Sequence, residues 1–260
     1  MKDKKYFNTS VVDNFFKDPD EIVNLANSLD FTIGPKGHWP GVRTQSLHLI
    51  DKNLFNSVLQ KIFSLSFDYR HHNVNWDNVE MYFQKTYPYD LKNKTSILNT
   101  GMIHQDGDYP MVGLIYLTKN ANINSGTSIF LPKKFQKNYE KITSAFAKRK
   151  RKIYKKPLEK LTKKDLIEYE NLLNDVNSNY NESVRFNNIY NRLIAYNGNE
   201  YHKCNSFYTG EKERLTLIFF VRRIQSTAFF PLQRLNAIKT DLNNDNTEKK
   251  HNKKRNDRRN

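Results

Sequence analysis

The stretch Gly101-Met102-Ile103-His104-Gln105-Asp106-Gly107 decides how the rest of the chain is read. In an extended strand successive side chains point to opposite faces, so His104 and Asp106, two apart, share a face. An imidazole and a carboxylate on one face are half of a metal site, and the other half must come from elsewhere in the chain. His202 is the candidate. Alone, a His-x-Asp pair is more often a surface or core accident. The ordered remainder of the sequence gives it weight. Tyr109 to Thr118 reads as an apolar strand, and Gly126-Thr127 turns into a second one. Arg192 to Tyr196 leads into Asn197-Gly198, a turn that presents His202. Arg214 then opens the apolar run Leu215 to Val221.

Two histidines and one carboxylate on one face of an ion leave its other positions open for co-substrate and O2, which is the facial triad of non-haem Fe(II) chemistry. The order His-x-Asp, Gly-Thr turn, distal His and following Arg resembles the Fe(II)/2-oxoglutarate-dependent oxygenases. In detail it is most similar to the prolyl-hydroxylase-like branch and to a group frequent in phage and marine microbial sequences. The text that carries the resemblance is GMIHQDGDYPMVGLIYLTKN (101–120), SGTSIFLP (125–132) and NRLIAYNGNEYHKCNSFYTGEKERLTLIFFVRR (191–223). HWPGVRT (38–44) and PLQRLN (231–236) add to it. The resemblance spans residues 10 to 235, less an internal insertion.

That resemblance implies an α+β, mainly β fold: a double-stranded β-helix (a cupin-like jelly roll) with flanking N-terminal helices and a helical insertion. It implies Fe(II) held by His104, Asp106 and His202. It also implies 2-oxoglutarate with its remote carboxylate on Arg214, whose planar, permanently charged fork suits a carboxylate. Tyr116 and Thr216 are the further co-substrate contacts. The implied reaction uses O2, releases succinate and CO2, and hydroxylates an unidentified substrate, a protein side chain or another molecule. A carboxylate at Asp106, rather than a small residue, favours hydroxylation or desaturation over halogenation. Tyr87-Pro88 is similar to a co-substrate-contacting Tyr-Pro pair of that branch. Periodicity leaves open whether Tyr87 or Tyr82 makes such a contact.

The 260-residue chain is long enough for one domain, expected over residues 1–240 with a basic helical insertion at 133–185. Phe (17) and Tyr (15) are numerous enough to build an aromatic core. The mean hydropathy of −0.81 comes from very polar segments outside that core. A formal net charge of +16 invites an acidic partner such as nucleic acid or an anionic surface, or else reflects lysine-rich segments that simply solubilise the protein. Seven of the nine residues from Lys148 to Lys156 are basic. They read either as a phosphate grip or lid, or as a solvated helical hairpin. The alternative function is therefore a nucleic-acid-associated module, or an oxygenase acting on nucleic acid. Residues 241–260 are polar and basic and are expected to be disordered.

Cys204 is the single cysteine, which excludes an internal disulfide and fits a reducing compartment. Its place two residues after His202 suggests a small buried neighbour of the site. No apolar run approaches a membrane span, and Met1 to Lys5 lacks a signal core. The expected location is cytoplasmic, or the host cytoplasm for a viral protein, and the sequons at Asn8 and Asn93 are expected to stay unmodified.

Further local readings follow from spacing. Val11-Val12 with Phe15-Phe16 reads as a short strand. Asp18-Pro19-Asp20-Glu21 starts a helix carrying Ile22, Leu25, Ala26 and Leu29. Phe31 to Arg43 is a Gly/Pro loop, either a lip over the site whose Trp39 and Arg43 hold a ligand, or a structural corner. Thr44 to Ile50 alternates and reads as a strand, and Leu54 to Phe63 as an amphipathic helix. The adjacent His71 and His72 read as surface residues. Val79 to Tyr87 reads as a strand beside the His-x-Asp segment, with Tyr82, Gln84 and Thr86 on one face. Residues 133–185 read as helical, with a helix start at Leu161 to Leu166.

Overall fold

The computed structural model describes residues 9–67, 73–107, 109–133, 139–210 and 213–226. His71, His72, Phe135, the motif at 231–236 and the tail at 241–260 lie outside the described residues.

The chain begins with β1 (Ser10–Val12) and α1 (Pro19–Asn27). The Asp18 side chain accepts from the amides of Asp20 and Glu21, so the helix starts where Asp-Pro-Asp-Glu predicts. β2 (Thr32–Ile33) and β3 (Val42–Arg43) flank the Gly/Pro loop. α2 (Leu47–Ile50) and α3 (Lys52–Ser64) follow. The strand expected over Thr44 to Ile50 is instead a short helical turn. Leu47 buries inward, and the Asp51 carboxylate caps the next helix through the amide of Leu54.

β4 (Val74–Thr86), β5 (Met111–Tyr116), β6 (Thr127–Pro132), α4 (Tyr139–Tyr154), α5 (Lys163–Asn177), β7 (Tyr180–Phe186), β8 (Leu193–Tyr196), β9 (Tyr201–Cys204) and β10 (Arg214–Ser226) complete the order. Helical structure in the insertion ends at α5. Tyr180 to Phe186, inside the stretch read as helical, pairs with β6 as a strand. Its exposed middle hides it from a hydrophobic pattern.

The strands form two antiparallel sheets. The larger has the order β1-β8-β5-β10-β4-β3-β2 and the smaller β7-β6-β9. β4 neighbours β10 and β3, not the His-x-Asp segment, which belongs with the smaller sheet through a bridge between His104 and His202. The reading of β4 beside that segment is thereby corrected.

Alternation sorts the large sheet into two faces. Met81, Phe83, Ile115, Leu193, Leu217 and Phe219 pack outward against Ala26, Leu47, Leu59 and Phe63 of the helical layer. Val112, Leu114, Tyr116, Ile194 and Ile218 face inward and meet Ile129 and Phe186 of the smaller sheet. A third cluster ties the insertion down, with Phe146, Tyr169 and Leu173 packing on Leu98 and Met102. Here α5 starts on a capping box, the Thr162 hydroxyl accepting from the Asp165 amide and the Asp165 carboxylate from Thr162. No helix among the described residues is long and apolar enough to cross a membrane.

Candidate metal centre and its cavity

His104 and His202 sit opposite each other and exchange both backbone hydrogen bonds, at 3.1 Å and 2.9 Å. Such a pair brings the two side chains to one side of the ladder, and the ring centroids are 4.5 Å apart. Asp106 does not continue a strand, as the sequence reading supposed. The chain leaves the ladder after His104, and the Asp106 amide donates to the Gly198 carbonyl at 2.8 Å. The Asn197-Gly198 turn therefore positions the carboxylate as well as presenting His202. A Gly198 side chain would collide with Tyr109, which explains glycine at this close approach.

Asp106 Oδ1 is 3.6 Å from His104 Nε2, and Oδ2 is 3.3 Å from His202 Nε2. One ligand atom from each residue lies within 4.8 Å of the others. Each histidine Nδ1 faces a carbonyl two residues upstream, Met102 O at 2.9 Å and Glu200 O at 2.8 Å. A carbonyl only accepts, so both Nδ1 atoms carry a proton, and Nε2 is the nitrogen that each ring turns toward the carboxylate, where a metal would take the place of its proton. This is the tautomer a metal ligand needs, fixed by backbone acceptors. Burial would raise the Asp106 carboxyl, but the adjacent His202 and His104 outweigh it and hold it well below the usual carboxylate range. His202 is buried, whereas the His104 side chain is 40% exposed, so the cluster is open on the His104 side.

The cluster opens into a cavity of about 330 Å³ between the two sheets. Glu80, Gln84 and Thr86 on β4, and Arg214, Thr216, Ile218 and Phe220 on β10, all line it. Alternation thus assigns the face of Tyr82, Gln84 and Thr86 to the interior. Tyr82 packs with the inner cluster, while Tyr87 lines a different pocket beside Tyr89 and Pro157.

Arg214 is 4% exposed. Its Nε donates to the Ser125 carbonyl at 3.3 Å, and its guanidinium lies 5.3 Å from the Tyr116 ring. Its Nη2 is buried with no hydrogen-bond partner among the described residues. Gly126 allows the Ser125 carbonyl to come this close, since a side chain there would strike the Phe186 carbonyl. Tyr116 is fully buried and donates to Thr127 Oγ1 at 3.0 Å. Burial pushes its phenol up to about 12, so it stays a neutral donor. Thr216 is opposite both Tyr116 and Gln84. All of His104, Asp106, His202, Arg214, Tyr116 and Thr216 therefore meet around the inner face. Cys204, on the same face of β9 as His202, lines the cavity half-buried and donates to Ser206 O at 3.2 Å.

The sequence reading did not single out Glu80, Lys150, Tyr154, Tyr196 or Asn177. Extending the Tyr82-Gln84-Thr86 alternation two residues back would have found Glu80. Tyr196 lies 4.8 Å from the His202 ring, and its position on the inner face of β8 was readable. Lys150 and Tyr154 reach the cavity from α4. Asn177, at the end of α5, accepts from the Ile103 amide at 2.8 Å and donates to the Gly101 carbonyl at 3.1 Å. The basic run marks the stretch that holds Lys150 and Tyr154 as a grip or lid, but no local signal says which of its residues, or Asn177, reach the site, because tertiary packing brings the insertion there.

Among solved structures, the chain is similar to HygX from Streptomyces hygroscopicus with nickel and 2-oxoglutarate bound, at 11% identity and a TM-score of 0.47, covering 83% of each chain. It is similar to a prolyl hydroxylase from Trichoplax adhaerens in complex with a hypoxia inducible factor peptide, at 11% identity and 0.44, covering 82% of each. A Pseudomonas putida prolyl-4-hydroxylase matches at 12% identity and 0.42, over 84% of this chain and 93% of that one. No curated protein matches the sequence. A family model described as "Family of unknown function (DUF6445)" matches residues 4–207, a span that holds His104, Asp106, Tyr116 and His202 and ends ahead of Arg214. The chain belongs to this DUF6445 family.

Proposed function

We propose that the protein is an Fe(II)- and 2-oxoglutarate-dependent dioxygenase that hydroxylates a substrate and releases succinate and CO2, on a double-stranded β-helix core. The observation that carries this reading is the donor set. Two histidines with their Nδ1 protons tied to carbonyls aim Nε2 at one carboxylate, on the wall of a cavity that also holds a buried arginine with an unpaired Nη2. Two neutral imidazoles and a carboxylate suit Fe(II) and leave room for further ligands. A buried guanidinium with an orphaned N–H is unfavourable unless an acceptor arrives, and a dicarboxylate's distal end is such an acceptor.

In this reading His104, Asp106 and His202 hold the iron. Arg214 binds the distal carboxylate of 2-oxoglutarate, with Thr216 and neutral Tyr116 as further hydroxyl partners. When bound, iron and co-substrate activate O2 for substrate oxidation. The chain's own contribution is to orient the ligands through the Met102 and Glu200 carbonyls. Val112, Leu114, Ile218 and Phe220 supply the apolar part of the cavity wall.

The basic run supports an acidic partner less than its composition suggests. Arg149 pairs with Asp165 and Glu168, Lys156 pairs with Asp165, and Lys150 turns into the cavity. Lys148, Arg151, Lys152 and Lys155 stay exposed and are the surface on which nucleic-acid binding would depend.

The test is anaerobic titration of Fe(II) with 2-oxoglutarate present, following the weak visible charge-transfer band of the ternary complex. The band is expected in the parent, absent in His104→Ala and weakened in Arg214→Ala. Iron binding without a band would overturn the 2-oxoglutarate assignment. No iron binding would overturn the metal centre and favour the nucleic-acid module.

A further inference from the structure

Resting on the metal-centre reading above, we infer that Arg43 and Lys150 form a second anion site at the cavity, which holds a carboxylate or phosphate group of the primary substrate. A dicarboxylate co-substrate satisfies one cationic pole, yet the cavity has two. Register places Arg43, Gln84, Thr216 and Tyr116 in one row across β3, β4, β10 and β5. Three strand spacings separate the ends of that row, on the order of 14 Å. Arg214 leans toward the Tyr116 end, with its guanidinium over the Tyr116 ring and its Nε on Ser125. Arg43 reaches toward a different level of β10, that of Phe220 rather than of Arg214. Its guanidinium stacks 4.2 Å from the Trp39 ring and 5.6 Å from both Tyr82 and Phe220. A ligand engaged by Arg214 leaves Arg43 for something else.

Arg43 is also built as a binding group. Its Nε donates to Gln84 Oε1 at 2.9 Å, and the Gln84 amide is itself fixed by donating to the Pro40 carbonyl at 3.1 Å. Trp39 covers one face. The rest of the fork faces the cavity and has no ion-pair partner among the described residues. An aromatic-stacked, pre-oriented guanidinium loses little freedom on taking a carboxylate or phosphate. Lys150 adds a charge from α4 and likewise has no ion pair among the described residues. Burial, then Arg151, lowers its ammonium below the usual lysine value.

The acidic group facing the same space is Glu80, whose carboxylate already accepts from Tyr82 at 3.3 Å and Tyr109 at 3.2 Å. Asp106 is turned to His104 and His202, at 3.6 Å and 3.3 Å, so with or without a metal Arg43 and Lys150 outnumber the one remaining carboxylate among the described residues at the mouth, Glu80. The volume suits a small molecule or a single side chain rather than a strand of nucleic acid.

Trp39 reports the site directly. The full chain carries two tryptophans, so Trp76→Phe leaves Trp39 as the only emitter at this wavelength. Inorganic phosphate and acetate are titrated into this variant without metal, against potassium chloride of equal ionic strength. We expect a saturable change with at least one of the two anions, and the tighter of them names the group. Arg43→Gln is expected to weaken binding by about tenfold or more, the value of a charge-assisted pair. Lys150→Gln should weaken it by a smaller factor, and Arg214→Gln should leave it intact. Circular dichroism shows that each variant is folded, and Lys150→Gln, on the half-exposed helix surface, decides the matter if Arg43→Gln is not. A response that merely tracks ionic strength overturns the proposal. So does one lost in Arg214→Gln and kept in Arg43→Gln. Because neither iron nor 2-oxoglutarate is present, the outcome is independent of the charge-transfer titration, and a failed metal centre is distinguishable from a failed anion site.

Discussion

The two faces of β10 are made from one strand and do different work. Leu215, Leu217, Phe219 and Val221 point outward into the layer under α1 and α3, an entirely apolar setting. Arg214, Thr216, Ile218 and Phe220 point inward and line the cavity with charge, hydroxyl and apolar surface in turn. Period-two alternation lets 13 residues stabilise the fold and carry chemistry without either task interfering with the other. The outer face is replaceable by any set of side chains that fills the volume. The inner face is not, because Arg214 keeps an orphaned N–H where a well-packed core would have none.

The difference is broken most severely from outside. Phe219→Ala on the outer face is expected to cost about 3–5 kcal/mol of stability, the range for a fully buried aromatic. Urea unfolding measures it. A cost below 1 kcal/mol would mean that the outer face is not a close-packed core. On the inner face, Arg214→Gln should barely lower the unfolding midpoint. It should weaken 2-oxoglutarate binding by about 10-fold to 100-fold, the loss of a charge-assisted pair, as followed by calorimetry. Equal damage to stability and binding would erase the distinction between the faces.

The smallest effect lies beyond both faces, in the insertion. Hydrogen bonds from the Thr162 side chain, Lys156 and the Thr162 amide hold the Asp165 carboxyl down to about 2. A carboxyl depressed on folding stabilises the folded form above its unfolded value, near 4, and that contribution is lost as pH falls from about 4 to 2. Near-ultraviolet circular dichroism of the tyrosine cluster should therefore weaken in that window. In Asp165→Asn the signal should be less stable at neutral pH and flatter across the same range. The sheet signals should be indifferent to both changes.

Local chemistry was legible in the sequence where it is self-contained. Asp18-Pro19-Asp20-Glu21 carries its own cap, and Thr162 and Asp165 carry theirs, so both helix starts fall as read. His104, Asp106 and His202 were legible as a set, and the structure brings them together. The route was not. Asp106 reaches the cluster from an irregular turn held by the Gly198 carbonyl, a contact that no spacing rule encodes. Thr44 to Ile50 alternates like a strand, yet the turn closed by the Asp51 amide on the Leu47 carbonyl and the burial of Leu47 override that pattern. β7 was missed because only its terminal residues, Tyr180 and Phe186, are buried. Placement of β4 failed because sheet order is a property of the whole chain.

Asn177 has a consequence for how this protein avoids its own kind. Gly101 to His104 runs along the outer edge of the smaller sheet, with β9 on one side only. An edge with a free carbonyl and a free amide is a template on which another chain can add a strand. The Asn177 side chain answers both, its oxygen taking the Ile103 amide and its nitrogen the Gly101 carbonyl, as a neighbouring strand would. The insertion leaves and re-enters the sheet at one rung, Pro132 opposite Tyr180. Between those two residues it sends back one carboxamide that closes the edge carrying a candidate metal ligand. A chain without it would present that edge as an invitation to self-association.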